Sequence, residues 1–406
     1  MPFPQPAKLR DRNTVASGQP SRRVFAILSA ALFAFTAGAA DPGMDRERLA
    51  RIPVRMQEFV DRGTTAGIVT LLMRHGDVAL LSAVGLQDRE SRKAMNTDTI
   101  FAIHSMTKPV TSTGIMILVD EGKVALIDPV EKYLPEFKGQ KLTSGAAPVR
   151  PVNLRDLLTH TSGYLGGGPE VKDRTRHTLA EVVSLEARQP LQYEPGTKWK
   201  YSNAGMAALG RIIEVVAGKP YERFIEERIL HPLGMQDSFF FPPAEKRSRI
   251  AAAYTDEKGA LVRAKVDLYK EGAKYAAPEG GLYSTATDMS RFYQMMLRGG
   301  ALNGRRILSP AAVHLMTQVQ TGDLPAGFAP GMGWGLGWGI VRSVEGMFRM
   351  QSVGTYGHGG AWRTMGWVDP SKDLVGVLLM QRTNGGGDIA DEMNAFIQMA
   401  AAAIQN

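Results

Sequence analysis

The chain has 406 residues, 44% of them hydrophobic and 22% charged, which excludes a disordered or fibrous protein and allows one large domain or two to three ordinary ones. The formal charge of +8 does not describe a nucleic-acid surface, because Lys8, Arg10, Arg12, Arg22 and Arg23 against Asp11 place +4 in residues 1–40 and leave only +4 for the rest. No cysteine is present, so a disulfide framework is excluded, and the seven histidines show no metal-ligand spacing.

Residues 1–39 read as a targeting segment. Ser21-Arg22-Arg23 precedes an apolar stretch, Val24 to Phe35, and the small residues Ala37-Gly38-Ala39 follow, as in a secretory signal with a small-residue cleavage site. The paired arginines indicate the twin-arginine route and hence a bacterial protein that is periplasmic or secreted. The apolar run is about half of the ~20 residues that a spanning helix needs, and an uncleaved anchor is the alternative.

Residues 40–406 form the domain proper. Leu49, Ile52, Met56 and Phe59 recur at helical spacing and predict a helix over 44–61. Two β-rich runs, Gly67–Met73 and Val78–Val84, predict a hairpin through Arg74-His75-Gly76-Asp77. A helix is expected from about Ser105 to Glu121, with Gly122 as its C-terminal glycine. From about 126 to 280 the pattern is that of a mostly helical sub-domain, with helices at Asn153–Thr159, Leu179–Arg188, Met206–Val216 and Tyr221–Leu230. Thr287–Leu297 and Pro310–Thr317 add two more, each preceded by Ser or Thr. Strands are expected at Trp338–Val341, Met347–Ser352, Arg363–Val368 and Leu374–Gln381, before a last helix near 389–403. The fold class is therefore α/β (α+β): one sheet assembled from both chain ends, with helices on its faces and a mostly helical insertion.

Three stretches carry chemistry. Ser105 is the only serine with a lysine three residues on, Lys108, and positions i and i+3 share a helix face. A serine hydroxyl becomes a nucleophile when a neighbouring base takes its proton, and a lysine whose pKa is depressed can be that base; otherwise the pair is a helix cap and a surface lysine. In Lys200-Tyr201-Ser202-Asn203, a loop entering a helix can point the phenol of Tyr201 and the amide of Asn203 into one pocket. In Gly357-His358-Gly359-Gly360-Ala361-Trp362, glycines let a ligand approach backbone N–H groups closely. His358 is either a substrate-binding group or a structural histidine bonded to a carbonyl. His104 and His160 read as packing residues. Trp334, Trp338, Trp362 and Trp367 flank the C-terminal motifs; Trp367 reads as sheet core, and Trp362 as a pocket wall.

S-x-x-K, then Y-x-N, then a strand motif in the K-T-G position resembles the serine β-lactamase and penicillin-binding-protein superfamily. Leu157-Leu-Thr-His-Thr-Ser-Gly163, Glu194-Pro195-Gly196 and Gly335-Leu-Gly-Trp-Gly339 resemble its class C β-lactamase-like branch. That branch includes family VIII carboxylesterases, D-aminopeptidases and D-alanyl-D-alanine carboxypeptidases. The resemblance spans about residues 50–400 and implies an antiparallel sheet flanked by helices. It implies Ser105 as acylated nucleophile, Lys108 as its proton partner and Tyr201 as second base, coupled to Lys108 and activating water. It implies that Asn203 contacts substrate and helps to position Lys108, and that the N–H groups of Ser105 and Ala361 form an oxyanion hole.

The sequence departs from the pattern where His358 and Gly359 replace the lysine and threonine of K-T-G. A histidine, mostly neutral at pH 7, grips a substrate carboxylate less well than lysine. The expected protein is thus an exported serine hydrolase acting on small esters or amides, a carboxylesterase before a β-lactamase or D-Ala peptidase, with His358, Gly359, Gly360, Ala361 and Trp362 lining the substrate site. A non-catalytic peptidoglycan-binding or sensing module is the alternative of another class. No G-x-S-x-G, H-E-x-x-H, P-loop or dinucleotide fingerprint is present, and no cofactor, metal or nucleic-acid partner is expected.

Overall fold

The computed structural model describes residues 42–166, 173–345, 350–384 and 390–405. Residues 1–39, the expected signal, lie outside these. In chain order, α1 (Arg46–Asp61) leads to the hairpin β1 (Gly67–Arg74) and β2 (Asp77–Asp88). Two short strands, β3 (Lys93–Ala94) and β4 (Phe101–Ala102), precede the helix α2 (Thr107–Asp120). The next helices are α3 (Leu154–Leu158), α4 (Leu179–Glu186), α5 (Asn203–Ala217) and α6 (Tyr221–Ile225), the last running on as a π-helical turn to Leu230. A small hairpin, β5 (Tyr254–Glu257) and β6 (Ala260–Arg263), interrupts this helical stretch; the helix-and-loop reading of 126–280 did not anticipate it. Then come β7 (Tyr283–Ser284), α7 (Ala286–Leu297), β8 (Ala301–Leu302), β9 (Arg305–Arg306) and α8 (Pro310–Thr317). The chain ends with β10 (Met332–Trp334), β11 (Gly339–Val341), β12 (Tyr356–Gly360), β13 (Thr364–Asp369), β14 (Leu374–Leu379) and α9 (Asp391–Ala402). Of the strand expected at Met347–Ser352, residues 347–349 lie outside the described part, and Met350–Ser352 is not strand.

One sheet joins the chain ends in the order β10-β11-β12-β13-β14-β1-β2-β3, each neighbour antiparallel. Every residue of β1 and β14 is buried. Alternation of side chains assigns them to two layers. Val69, Leu71, Val375 and Val377 face α7 and the large helical core, whereas Ile68, Leu72, Leu374 and Leu378 face α1 and α9. On the outer layer Trp367 meets Phe396 of α9 edge-on at 5.3 Å, so it is core, as its position in the sequence suggested.

α2 is buried on every side from Thr107 to Leu118, which is why its sequence shows little amphipathic contrast. It packs against α5 and α6. The Gly335–Gly339 phrase lies against it: Gly337 has φ +81°, and a Cβ there would sit 2.0 Å from Ser112 Oγ. That close approach explains the glycine, and it sets the β10–β11 turn directly behind the start of α2.

Candidate active site

Ser105 lies not in α2 but in a single 3-10 turn, His104–Met106, that feeds it. His104 has a left-handed φ of +48°, unusual for a residue with a side chain, and this bend raises Ser105 at the entrance of the helix. Lys108, the second residue of α2, returns toward it, and its Nζ donates to Ser105 Oγ at 3.0 Å. Ser105 is half-buried and Lys108 is 0% exposed. Nζ also donates to the Glu279 carbonyl at 2.6 Å and stands 4.7 Å from the centre of the Tyr201 ring. Burial pushes the Lys108 pKa down to about 7, with the Glu279 charge acting against the fall. A buried amine near neutrality, in contact with a hydroxyl, can take a proton from it.

Tyr201 is held by the residues around it. Ser202 caps α5, accepting from Gly205 N–H at 2.9 Å and donating to the Tyr164 carbonyl at 2.6 Å. His160, also left-handed at φ +58°, accepts the Ser202 N–H on Nδ1 at 3.2 Å, and its carbonyl accepts from Lys200 N–H at 2.9 Å. Gly196 N–H donates to the Thr161 carbonyl at 2.8 Å. The phrases around Leu157–Gly163, Glu194–Gly196 and Tyr201–Asn203 thus brace one another, and His160 is the hinge of that bracing.

His358 points inward from β12 and is buried. Its Nδ1 lies 2.7 Å from the Gly359 carbonyl, which only accepts, so Nδ1 carries the proton and Nε2 offers a lone pair to the Tyr201 hydroxyl at 3.4 Å. Burial first, then the neighbouring Lys108 charge, pushes its pKa down to about 3, despite the opposing bond to Gly359. His104 is driven to about 4 by burial and Lys108, and His160 well below its ordinary value for the same reasons plus His358. Around Lys108 the three imidazoles are therefore neutral.

The third side is the β12–β13 hairpin. Its turn, Ala361-Trp362-Arg363, places Arg363 at φ +61°, and the buried Arg363–Glu392 ion pair at 2.8 Å ties it to α9. Thr364 Oγ1 donates to the Ile103 carbonyl at 2.9 Å, and a Cβ on Gly360 would stand 2.3 Å from that same carbonyl. Gly360 thus lets the strand end touch the backbone two residues before Ser105. Among the described residues, neither the Ser105 nor the Ala361 N–H donates to another backbone group. Of β12, β11 pairs only with Tyr356 and Gly357, so on that side the edge from His358 onward has no ladder partner among the described residues. Gly360→Ala is expected to keep the fold but lower kcat by about 10²–10³, by displacing one oxyanion donor; unchanged steady-state ester turnover would contradict that reading.

Ser105, Lys108, Tyr201, His358, Gly359 and Gly360 thus meet in one place, and Ala361 follows Gly360 as the exposed first residue of the turn. Trp362 is half-buried, with its ring 4.2 Å from that of His104, beside the nucleophile. Asn203 is exposed as the first residue of α5, and the Lys108 amine donates to Ser105 Oγ and to the Glu279 carbonyl. Sequence reasoning also missed Glu279 and an aromatic wall in which Trp199 and Phe328 stand 5.6 Å apart and Tyr201 and Phe328 5.2 Å. Trp199 has a weak signal, two residues before Tyr201; Phe328 and Glu279 sit in stretches without a motif. Among the described residues no group of histidines and carboxylates is arranged to hold a metal ion.

The beta-lactamase family model matches residues 55–400. Protein Rv1367c of Mycobacterium tuberculosis is 34% identical over 358 residues, covering 80% of this chain and 88% of its own. Esterase EstB of Burkholderia gladioli is 29% identical, covering 86% of this chain and 95% of its own. Among solved structures, EstCE1, described as a hydrolase with promiscuous acyltransferase activity, superposes with a TM-score of 0.77 at 26% identity, over 89% of this chain and 99% of its own. The chain belongs to the beta-lactamase family, in the superfamily of serine β-lactamases and penicillin-binding proteins, and is a serine hydrolase.

Proposed function

We propose that the protein is a carboxylesterase that acts through an acyl-enzyme on Ser105. The observation that carries this reading is the buried Lys108 amine, 3.0 Å from Ser105 Oγ and near neutrality at pH 7. Ser105 Oγ attacks the ester carbonyl carbon as its proton passes to Lys108, and the carbonyl oxygen becomes an oxyanion facing the N–H groups of Ser105 and Ala361. Collapse breaks the carbon–oxygen bond to the alcohol, which leaves with a proton from the Lys108–Tyr201 pair. Water then attacks the acyl carbon, giving its proton to the Lys108–Tyr201 pair through the Lys108 amine, and that proton returns to Ser105 Oγ as the acid departs. Lys108 and Tyr201 titrate as one unit in this scheme. His358 holds the Tyr201 phenol through Nε2.

His358 also sets the substrate class. A neutral, buried imidazole already bonded to Gly359 offers no cation to a substrate carboxylate, which favours uncharged esters and small amides over β-lactams and D-Ala-terminated peptides. The test is a steady-state panel of p-nitrophenyl butyrate, nitrocefin and a D-Ala-D-Ala peptide. The ester should have the highest kcat/KM by at least about 10²-fold, since one lost charge contact is worth a few kcal/mol; a preference for either of the others would overturn the assignment.

Residues 1–39 act, in this proposal, as a twin-arginine export signal, and residues 126–280 as a helical sub-domain of the hydrolase. No helix among the described residues is long and apolar enough to cross a membrane. Arg22→Lys with Arg23→Lys should leave the precursor in the cytoplasmic fraction; normal export of that variant would rule out the twin-arginine route.

A further inference from the structure

Lys108 is held from behind by a loop whose side chains form a charge cluster that the catalytic scheme does not use. α2 grips the loop backbone at three points. Lys108 Nζ donates to the Glu279 carbonyl and Thr111 Oγ1 to the Pro278 carbonyl, both at 2.6 Å, and Leu282 N–H donates to Thr107 Oγ1 at 3.1 Å. From the far side, the Glu279 carboxylate accepts the Tyr275 hydroxyl at 3.0 Å on each oxygen and Arg174 Nη1 at 3.3 Å. Arg174 pairs in turn with Glu186, which is 2% exposed. A charged chain of this kind costs desolvation and does not by itself stabilise the fold, so its presence beside the site calls for a reason.

We propose that Arg174, Tyr275 and Glu279 are positioning residues, which clamp the loop so that its carbonyl receives the Lys108 amine, and that the Glu279 carboxylate so held supplies the counter-charge of the Lys108–Tyr201 pair. The inference rests on the roles given above to Ser105 and Lys108. The groups that face Lys108 are His104 from the nucleophile turn, His160 and Tyr201 from the α3–α5 side, His358 from β12, and Glu279. The three histidines are neutral, so the Glu279 carboxylate is the anion that opposes burial of the ammonium. Glu279 itself is faced by Arg174, Tyr275, Glu186 and the buried phenol of Tyr221.

The signs follow from charge. Removing the Glu279 anion makes protonation of the pair harder and moves the acid limb of the rate to lower pH. Removing the Arg174 cation does the opposite. A clamp with only a mechanical role would lower the rate in both variants without moving the limbs apart.

The experiment is the rate of fluorophosphonate inactivation against pH for the wild type, Glu279→Gln and Arg174→Gln, with the adduct mapped by mass spectrometry. Glu279→Gln should shift the acid limb down by about one unit and Arg174→Gln should shift it up. Limbs that coincide with the wild type, or that move in the same direction, would overturn the clamp while leaving Ser105 in its role. An adduct mapped elsewhere than Ser105 in the wild type would instead remove the reading beneath it, and the clamp with it. If Glu279→Gln does not fold, as judged by circular dichroism, the direction of the Arg174→Gln shift decides alone.

Discussion

Ser105→Ala is expected to abolish fluorophosphonate labelling and to lower kcat/KM for p-nitrophenyl butyrate by on the order of 10⁵-fold, because removing the nucleophile of a unit costs nearly as much as removing the whole unit. The loss should fall on kcat. The methyl side chain leaves Lys108 bonded to Glu279 and leaves the Thr364–Ile103 and Arg363–Glu392 links intact, so fold and substrate access are unaffected. For the same reason Ser105→Ala with Lys108→Ala should be little worse than Ser105→Ala alone. A residual rate comparable to that of the wild type, measured on protein of verified mass, would place the chemistry elsewhere.

The second large effect is at Lys108. Lys108→Met should reduce kcat/KM by about 10²–10⁴, the usual size of a lost general base, and should remove the acid limb expected of the wild type near pH 7. It should also change stability, with a sign that the pKa dictates. In the unfolded chain the lysine has its ordinary value of about 10.4; in the fold it is about 7. Folding therefore favours the neutral form, and the wild type loses stability as the pH falls from about 10 to 7, then no more below that. Methionine carries no such penalty. The melting temperature of Lys108→Met relative to wild type should rise as the pH is lowered through that window, reaching an advantage of a few kcal/mol that the lost bond to Glu279 partly offsets. A difference independent of pH would mean that Lys108 is not charged and buried in the way described.

The parts of the fold that follow from local pattern were legible. The hairpin Gly67–Asp88 shows apolar runs on either side of a short turn, α8 begins at the proline of Ser309-Pro310, and the Asn153 cap of α3 forms a reciprocal box with Asp156. Less legible was what depends on long-range pairing. β12 is short, glycine-rich and strand only because β13 lies beside it, and β5–β6 lies in a stretch whose composition resembles a loop. In the candidate site, the residues with motif spacing came together: Ser105 with Lys108, Tyr201 with His358, and Gly360 against the nucleophile turn. Glu279 could not be found, because its bond to Lys108 is made by a backbone carbonyl that any residue type supplies, and its carboxylate acts on Lys108 from a stretch without a motif. The motif gives the residue types of Tyr201 and Asn203, whereas the exposure of Asn203 at the start of α5 follows from the cap geometry of Ser202.

His358 gains most from the coordinates. In the sequence it was the residue that broke the lysine pattern; in the fold it is a neutral ring wedged between Gly359, Tyr201 and Trp334. In the proposed reading, the substitution puts a group that contacts the phenol where the resemblance implies a carboxylate-binding cation. That exchange ties the proposed ester preference to the electrostatics of Lys108, since a second buried cation there would repel the ammonium that Lys108 becomes when it accepts the serine proton.

The most direct test of the central claim is rapid-quench intact-mass analysis of the enzyme during turnover of p-nitrophenyl butyrate. Within the first turnovers a fraction of the protein should gain the mass of one butyryl group, the adduct should map to the peptide containing Ser105, and it should be absent from Ser105→Ala. Turnover with a butyryl group on another residue, or labelling of Ser105→Ala to the wild-type level, would contradict an acyl-enzyme on Ser105.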